Sequence, residues 1–199
     1  MRLMVSILLL TAGYVAESAC VSTKPVHYYT LQAPPRPPDQ SKPDGIVLVM
    51  GNIATPEALQ DSRIRYRAGS NQAGAYEYHR WTERPGLMVR NALIRDLRGS
   101  GKYLRVLESG SSIGGDFLLR GKLEEFDEVD RASIQTRISL RVELLDRKTN
   151  QNVWEYTAER EEPVSGKSVP DVVQSLERNL QFVVTEISGQ LDKFLATRR

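Results

Sequence analysis

The sequence predicts an α+β fold, a mostly antiparallel β-sheet with two amphipathic helices packed on one face. The strongest indication is the strict alternation of apolar and polar residues over 134–144, which is typical of a strand with one buried and one wet face. Two other segments, one after Pro85 and one after Pro170, repeat apolar residues at steps of three and four, as amphipathic helices do. With 199 residues, 40% of them hydrophobic, the chain is long enough for one domain with a real core.

The first twenty residues have the pattern of an export signal. Arg2 is followed by fourteen mostly apolar residues, 3–16, a run shorter than the ~20 residues that span a bilayer and typical of a signal peptide. A buried N-terminal helix is the alternative, but this run has no polar face. The run ends in "ESAC", which resembles the lipobox of bacterial lipoproteins. This resemblance implies a signal peptide over 1–19, cleavage before Cys20, a covalent lipid on the Cys20 sulfur and acylation of the new amino group.

The residues around Cys20 also bear on where the mature protein is held. Val21 follows the cysteine instead of Asp, which in the enterobacterial sorting pattern implies the periplasmic face of the outer membrane. Glu17 stands where the lipobox usually has Leu. Because Ala16 and Ser18 satisfy the small-x-small rule, ordinary cleavage after Ser18 is the alternative, and it would release a soluble periplasmic protein.

Residues 20–44 are expected to form the lipidated N-terminal segment, followed by the domain over 45–199. Within that segment, 26–31 ("VHYYTL") have strand composition and predict an edge strand paired with the domain. Residues 33–43 hold five prolines, which favour polyproline II and exclude a central strand. The alternative is a free tether over 21–44, with a reach of roughly 70 Å at about 3.1 Å per residue.

The first half of the domain is predicted to contain short strands interrupted by one helix. Residues 46–50 are apolar throughout, typical of a strand covered on both faces. Residues 64–68 and 76–81 predict a strand pair around the turn-rich "GSNQAG". Pro85 opens a helix that extends to about Arg98, where "GSG" ends it.

The second half is predicted to contain the longer strands and the last helix. After a strand over 103–108, the alternation in 117–129 changes phase, which indicates a β-bulge near Glu124 or Glu125. Residues 134–144 then pair with 153–159, in which Trp154, Tyr156 and Ala158 face inward. The final amphipathic stripe begins at Pro170 and is expected to lie over the sheet, a coiled-coil seam being the alternative.

No pattern of catalytic or metal-binding residues is present. One cysteine can form no intrachain disulfide and no cysteine-based metal site, and His27 and His79 have no second ligand at a suitable spacing, so each is interpreted as an ordinary strand or surface residue. There is no nucleophile elbow or phosphate-binding loop motif. Basic and acidic residues are interleaved, which argues against a nucleic-acid partner. We therefore predict a non-enzyme with no catalytic residue, no metal and no cofactor beyond the lipid on Cys20.

Two clusters allow a functional interpretation beside a structural one. The first is acidic and could be a calcium site or a carboxylate pair, but the solvated face of a hairpin is the preferred interpretation. The second is aromatic and could be a patch that contacts a partner or lipid, but half-buried sheet packing is preferred. The acidic cluster comprises Glu124, Glu125, Asp127, Glu128 and Asp130, and the aromatic one Tyr28, Tyr29, Tyr66, Tyr76, Tyr78 and Trp81.

Several diffuse motifs together resemble one known family. They are "HYYTL" soon after the cysteine, "YEYHRWTERPGLMVRNALIRDLRGSGKYLRV" over 76–106, "FLLRGKLEEFDEVD", and an alternating strand that ends in "LLDRKTNQNVWEY". Over residues 27 to about 195 the chain resembles the ABC-type transport auxiliary lipoproteins, the PqiC-like family. The resemblance implies a fold like the N-terminal domain of TolB. It carries over no ligand-contacting residue beyond Cys20 as the anchor.

The resemblance implies a role and no reaction. Such a protein would be the outer-membrane partner of an MCE-family periplasmic protein and its inner-membrane permease and ATPase, which move phospholipids or other apolar molecules across the periplasm. Edge strands such as 26–31 could take a partner strand by augmentation. One alternative is an envelope-assembly lipoprotein that regulates a peptidoglycan or outer-membrane biogenesis enzyme. Another is direct carriage of lipid, which would need an apolar cavity.

Overall fold

The computed structural model describes residues 24–38, 43–110 and 114–198. The predicted signal peptide, 1–19, and Cys20 lie outside these ranges. Within them the chain forms eight strands and two α-helices, and the predicted order of elements is confirmed. They are β1 (His27–Tyr29), β2 (Val47–Ala54), β3 (Arg63–Ala68), β4 (Gln72–Trp81), α1 (Pro85–Gly99), β5 (Arg105–Glu108), β6 (Phe117–Asp130), β7 (Ile134–Asp146), β8 (Gln151–Pro163) and α2 (Val169–Ala196).

These strands form one mixed sheet built around β6. On one side, β6 pairs antiparallel with β7, and β7 pairs antiparallel with β8. On its other side, β6 pairs in parallel first with β2 and then, at its end, with β3. Strand β5 adds to β2, while β4 and then β1 add to β3. Because the long ladders are antiparallel and the parallel ones are short, the sheet is mostly antiparallel, as predicted.

Both helices pack on the same face of this sheet. Helix α2 lies against β7 and β8, and α1 lies against β2 and beside α2. The residues of β7 that were predicted to face inward, from Ile138 to Leu144 at alternate positions, are fully buried in one cluster with Leu176, Leu180 and Ile187 of α2. The hydrophobic effect therefore holds the helix layer on one face only.

Polar contacts set the position of α2 on the sheet and the start of the helix. The Asn179 side-chain amide donates to the Thr136 carbonyl (3.0 Å) and hydroxyl (2.9 Å), and the Thr136 and Ser175 hydroxyls are 2.6 Å apart. All three side chains are buried, so α2 cannot slide along β7 without leaving them unpaired. The helix begins at a capping box formed by Ser168 and Asp171.

Two details of β6 follow from its central position. The register against β7 shifts between Leu123 and Glu125, which confirms the predicted bulge. Gly121 faces the helix layer two residues earlier, and a Cβ there would overlap the Arg141 carbonyl oxygen of β7. Close approach of the two backbones therefore requires glycine at this position.

The interpretation of the acidic cluster as a solvated face is wrong for two of its members. Asp127 and Glu128 are only 3% and 4% exposed. They lie in the part of β6 that has a neighbour on each side, β3 and β7. Each carboxylate has a partner: Asp127 pairs with Arg65 and Arg67, and Glu128 accepts a hydrogen bond from Tyr76.

We expect Leu180→Ala to lower the free energy of unfolding by about 3 kcal/mol, because Leu180 is fully buried between α2 and the sheet. Chemical denaturation followed by circular dichroism measures this change. Phe182→Ala on the same helix is the matched control. Because Phe182 is 44% exposed, we expect its truncation to cost about 1 kcal/mol. Equal losses in the two variants would contradict the assigned helix orientation.

Candidate functional site: the docked linker and the β1–β4 edge

The predicted site residue, Cys20, lies outside the described residues, so the nearest described part of the chain is the segment that follows it. That segment contains β1 and then residues 30–38, which we call the linker. The linker runs over the helix layer, and it does not extend away from the domain. The structure therefore supports the predicted edge strand and argues against a free tether over 21–44.

Apolar contacts hold the first part of the linker. Leu31 and Ala33 are 5% and 4% exposed and belong to the main core. The Gln32 backbone N–H donates to the Glu177 carboxylate of α2 at 2.6 Å. Pro35 packs against the end of α1 at Gly99, where a Cβ would lie only 2.8 Å from the Pro35 Cβ. A side chain at position 99 would therefore push the linker away from α1.

Arg36 joins the linker to both helices. Its Nη1 donates to Asp192 Oδ2 of α2 at 2.8 Å, and its Nε lies 3.2 Å from Asp96 Oδ2 of α1. The Arg36 backbone N–H also donates to Asp96 Oδ1, at 3.1 Å. Because the Asp96 and Asp192 side chains are only 1% and 7% exposed, Arg36 supplies the charge that makes their burial tolerable.

Asp192 is the centre of this ionic cluster. Its second oxygen, Oδ1, accepts a hydrogen bond from the Tyr103 hydroxyl at 2.7 Å, and Lys102 Nζ lies 3.3 Å from Oδ2. Burial, followed by the nearby Asp192 charge, raises the pKa of Tyr103 well above its usual range. Tyr103 therefore stays a neutral donor, and one carboxylate holds the linker, α2 and the segment before β5 together.

Sequence reasoning missed this cluster. The prolines indicated an extended conformation, but the two carboxylates that receive Arg36 lie 60 and 156 residues further along the chain. A single arginine among prolines was the only signal in the sequence. It does not identify partners at such separations.

The structure also brings together the two histidines that were interpreted as separate residues. His27 of β1 and His79 of β4 occupy paired positions, and their rings stack with centroids 5.2 Å apart. The Tyr29 hydroxyl is 2.9 Å from His79 Nδ1, and the Tyr76 ring meets His79 edge-on. Burial and then the neighbouring His27 lower the pKa of His79. Strand β1 is thus attached to the sheet by ring contacts as well as by a short ladder.

Most of the aromatic cluster confirms the half-buried packing that was preferred. Trp81 is buried against Phe126, while Tyr29, Tyr66, Tyr76 and Tyr78 are half-buried. Tyr28 is the exception, with 64% of its surface exposed.

Tyr76 also forms the hydrogen bond that stabilises Glu128 in its buried position. The Tyr76 hydroxyl donates to Glu128 Oε2 at 2.7 Å. Burial raises the pKa of Glu128, with a further increase from Asp130, while the Tyr76 hydrogen bond opposes that rise. Burial and the Glu128 hydrogen bond also raise the pKa of Tyr76 above its usual range.

The helix-free face of the sheet carries alternating charges in cross-strand pairs. Arg67 Nε donates to Asp127 Oδ2 at 2.8 Å, and Arg137 Nε lies 2.6 Å from Glu125 Oε2. A groove of about 630 Å³ on this face is rimmed by charged side chains, namely Arg120, Lys122, Glu124, Arg141 and Glu143. The other lining residues include Gly51, Ala54 and Leu118, so the groove combines charged and apolar surface.

The described residues include neither a grouped set of metal ligands nor a helix suited to crossing a membrane. Over 24–38, 43–110 and 114–198, no three or more His, Cys, Asp or Glu side chains are grouped so as to hold a metal ion. In the same ranges, no helix has both the length and the apolar character required to cross a membrane.

Comparison with known proteins identifies the family. The family model described as "ABC-type transport auxiliary lipoprotein component" matches residues 29–188. The chain belongs to this family. Membership makes it an auxiliary component of ABC-type transport and a lipoprotein of the cell envelope. No curated protein sequence matches it.

Solved structures share the fold of this auxiliary lipoprotein. Protein XCC0632 of Xanthomonas campestris, of family DUF330, is 21% identical and superposes with a TM-score of 0.74 over 84% of this chain and 99% of that one. An uncharacterized protein is 16% identical, with a TM-score of 0.66 and the same coverage. The hypothetical protein CT253 of Chlamydia trachomatis is 11% identical, with a TM-score of 0.50 over 73% of this chain and 96% of that one. At these identities the likeness establishes the fold alone.

We expect Arg36→Met to lower the unfolding free energy of the auxiliary lipoprotein by roughly 3 kcal/mol, because Asp96 and Asp192 would stay buried without their shared cation. Backbone amides of the linker should exchange with deuterium faster in this variant. Arg63→Met is the matched control, since the Arg63–Asp61 pair is exposed and its loss should cost less than about 1 kcal/mol. Unchanged linker exchange in Arg36→Met would contradict the assigned clamp.

We expect the attachment of β1 to weaken as the pH falls below about 6.5. His79 has a lowered pKa in the folded state, so the unfolded chain binds the proton more readily, and the stability present above the ordinary histidine pKa is lost on acidification. Protection factors for His27–Tyr29, corrected for the intrinsic pH dependence of exchange, should therefore fall between pH 7.5 and 5. His79→Phe keeps a stacking ring and should reduce that pH dependence. Amides of α2 serve as the internal reference.

Proposed function

We propose that this protein is the outer-membrane-anchored, non-catalytic auxiliary subunit of an MCE-type ABC transport system, which moves phospholipids or other apolar molecules across the periplasm. The observation that carries the proposal is the family match over 29–188, preceded in the chain by the lipobox-like "ESAC" at 17–20. In this proposal, residues 1–19 are the signal peptide, 20–44 the lipidated segment and 45–199 the auxiliary domain.

The lipid on Cys20 provides the membrane attachment. Each buried CH₂ group contributes about 0.8 kcal/mol, so several acyl chains together hold a protein on a bilayer essentially permanently. Val21 at the next position supports sorting to the outer membrane over retention in the inner one. The partners on the other side of the periplasm would be an MCE-family protein and its permease and ATPase.

The docked linker supports a role in holding a partner at a defined place. A subunit that works by docking benefits from a rigid connection between its anchor and its docking surface, because ordering a mobile tether costs binding free energy. Here β1 is part of the sheet, and Arg36 fixes the linker to both helices. Only residues 21–26 lie between Cys20 and β1.

The sheet offers edges for a partner strand. Among the described residues, β8 pairs only with β7 along Gln151–Pro163, so its outer edge is open for strand addition. The carboxylates on β8 are already paired within the domain, for example Glu159 with Arg137 and Glu155 with Arg141. A partner strand there would gain backbone hydrogen bonds without having to neutralise those carboxylates.

We expect the wild-type protein to incorporate labelled palmitate and to fractionate with outer membranes. Cys20→Ser should lose the label, whereas Ser22→Ala, the matched control, should keep it. Val21→Asp should keep the label but move to the inner-membrane fraction of an enterobacterial host. Equal labelling of wild type and Cys20→Ser would contradict lipidation, and an unchanged location of Val21→Asp would contradict the assigned sorting.

Cross-linking in membranes tests the proposed MCE-family partner. After cross-linking in its native host, the wild-type protein should co-purify with an MCE-family protein, together with a permease and an ATPase. Cys20→Ser, which lacks the anchor, should recover less of this assembly. Recovery of a peptidoglycan or outer-membrane biogenesis enzyme in place of the MCE protein would contradict the proposal.

A further inference from the structure

The pairing of β1 with the sheet limits how far the domain can lie from an anchor at Cys20. Because β1 begins at His27, only six residues, 21–26, separate the anchor from the sheet. A fully extended chain of that length spans about 25 Å at most. A domain of this size is about 40 Å across. The side of the domain that carries β1 must therefore lie close to the bilayer.

The register between β1 and β4 determines which of their side chains lie on the same side of the sheet. Tyr28 of β1 is paired in parallel with Arg80 of β4, so both side chains project to the same side. On β4, Tyr78 lies two positions before Arg80, and Lys24 and Val26 lie in the segment that immediately precedes β1. The contact between the Lys24 ammonium and the Tyr78 ring, 5.6 Å from its centroid, agrees with this placement. We call these five side chains the β1 patch.

The composition of the β1 patch suits the headgroup region of a bilayer. Tyr28, at 64%, is the most exposed of the large hydrophobic side chains among the described residues, and Val26, at 39%, is also exposed. Tyrosine has an apolar ring and a polar hydroxyl and is enriched at membrane–water interfaces. Two cations, Lys24 and Arg80, complement anionic phospholipid headgroups.

Two carboxylates border the patch. Glu77 accepts a hydrogen bond from Tyr78 and thereby raises the pKa of that hydroxyl. Asp61 is already paired with Arg63. Burial opposes the shift, but the hydrogen bonds and charge of Arg63, together with the charge of Arg80, lower the pKa of Asp61. Both acids therefore have partners within the domain, while Val26 and Tyr28 remain exposed.

We propose that the β1 patch lies on the bilayer and contacts the phospholipid headgroup region. This inference rests on the lipid attachment in the proposed function, because the short connection to Cys20 is what brings the patch to the membrane. The bilayer is then a second contact of the domain, made by side chains and separate from the acyl chains. It also orients the domain, with the β1–β4 edge toward the membrane.

The test uses the lipidated full-length protein in vesicles of phosphatidylethanolamine and phosphatidylglycerol. Because the Cys20 sulfur is taken up in the thioether, Thr30→Cys supplies a free thiol for a fluorophore next to the patch. Lys148→Cys, in the exposed turn between β7 and β8, supplies the reference position. We expect nitroxide-labelled headgroups to quench the fluorophore at 30 several-fold more than the one at 148.

A double substitution separates the membrane contact of the β1 patch from that of the lipid anchor. In the Thr30→Cys background, Val26→Ser with Tyr28→Ser should lower the quenching at position 30 several-fold while flotation with vesicles is unchanged. Proteins that float but show equal quenching at 30 and 148, or quenching at 30 that is insensitive to the two serines, would overturn the patch and leave the anchor intact. Failure of the wild-type protein to float would overturn the anchor and, with it, the proposed function.

Discussion

Burial of the apolar stripe of α2 on one face of β7 and β8 is the interaction on which the other parts of the fold depend. Leu176, Leu180 and Ile187 are fully buried against it, and Asn179 and Ser175 fix the axial position of the helix through Thr136. Helix α1 packs beside α2 and against β2. The linker lies in the groove between the two helices. Charged side chains cover the opposite face of the sheet.

The linker is therefore a structural element of the domain. A proline-rich segment loses little conformational entropy when it docks, because its backbone is already restricted before folding. Leu31 and Ala33 add apolar burial, and Arg36 adds a charge shared by two buried carboxylates. The consequence for a lipoprotein is geometric: an anchor at Cys20 would be joined to a rigid body by a few residues, so one side of that body would face the membrane.

The two faces of the sheet meet different physical requirements. The helix-side face excludes water with leucine, isoleucine and valine, and Thr136, Ser175 and Asn179 there are joined by hydrogen bonds. Within the described residues no helix covers the other face, which keeps its charges in cross-strand pairs such as Arg67–Asp127 and Arg137–Glu125. Paired charges of this kind keep a broad sheet surface soluble and discourage unspecific association with other sheets.

By itself the sequence determined the α+β class, the order of the elements, the bulge near Glu125 and the family, because these depend on local periodicity, on turn residues and on motifs that are read along the chain. Only the tertiary structure decided which distant groups meet. The docking of Arg36 between Asp96 and Asp192, the stacking of His27 on His79 and the burial of Asp127 and Glu128 all depend on strands and helices that are far apart in the chain. Charge pairing and ring stacking act over a few ångströms in space and leave no periodic trace in the sequence.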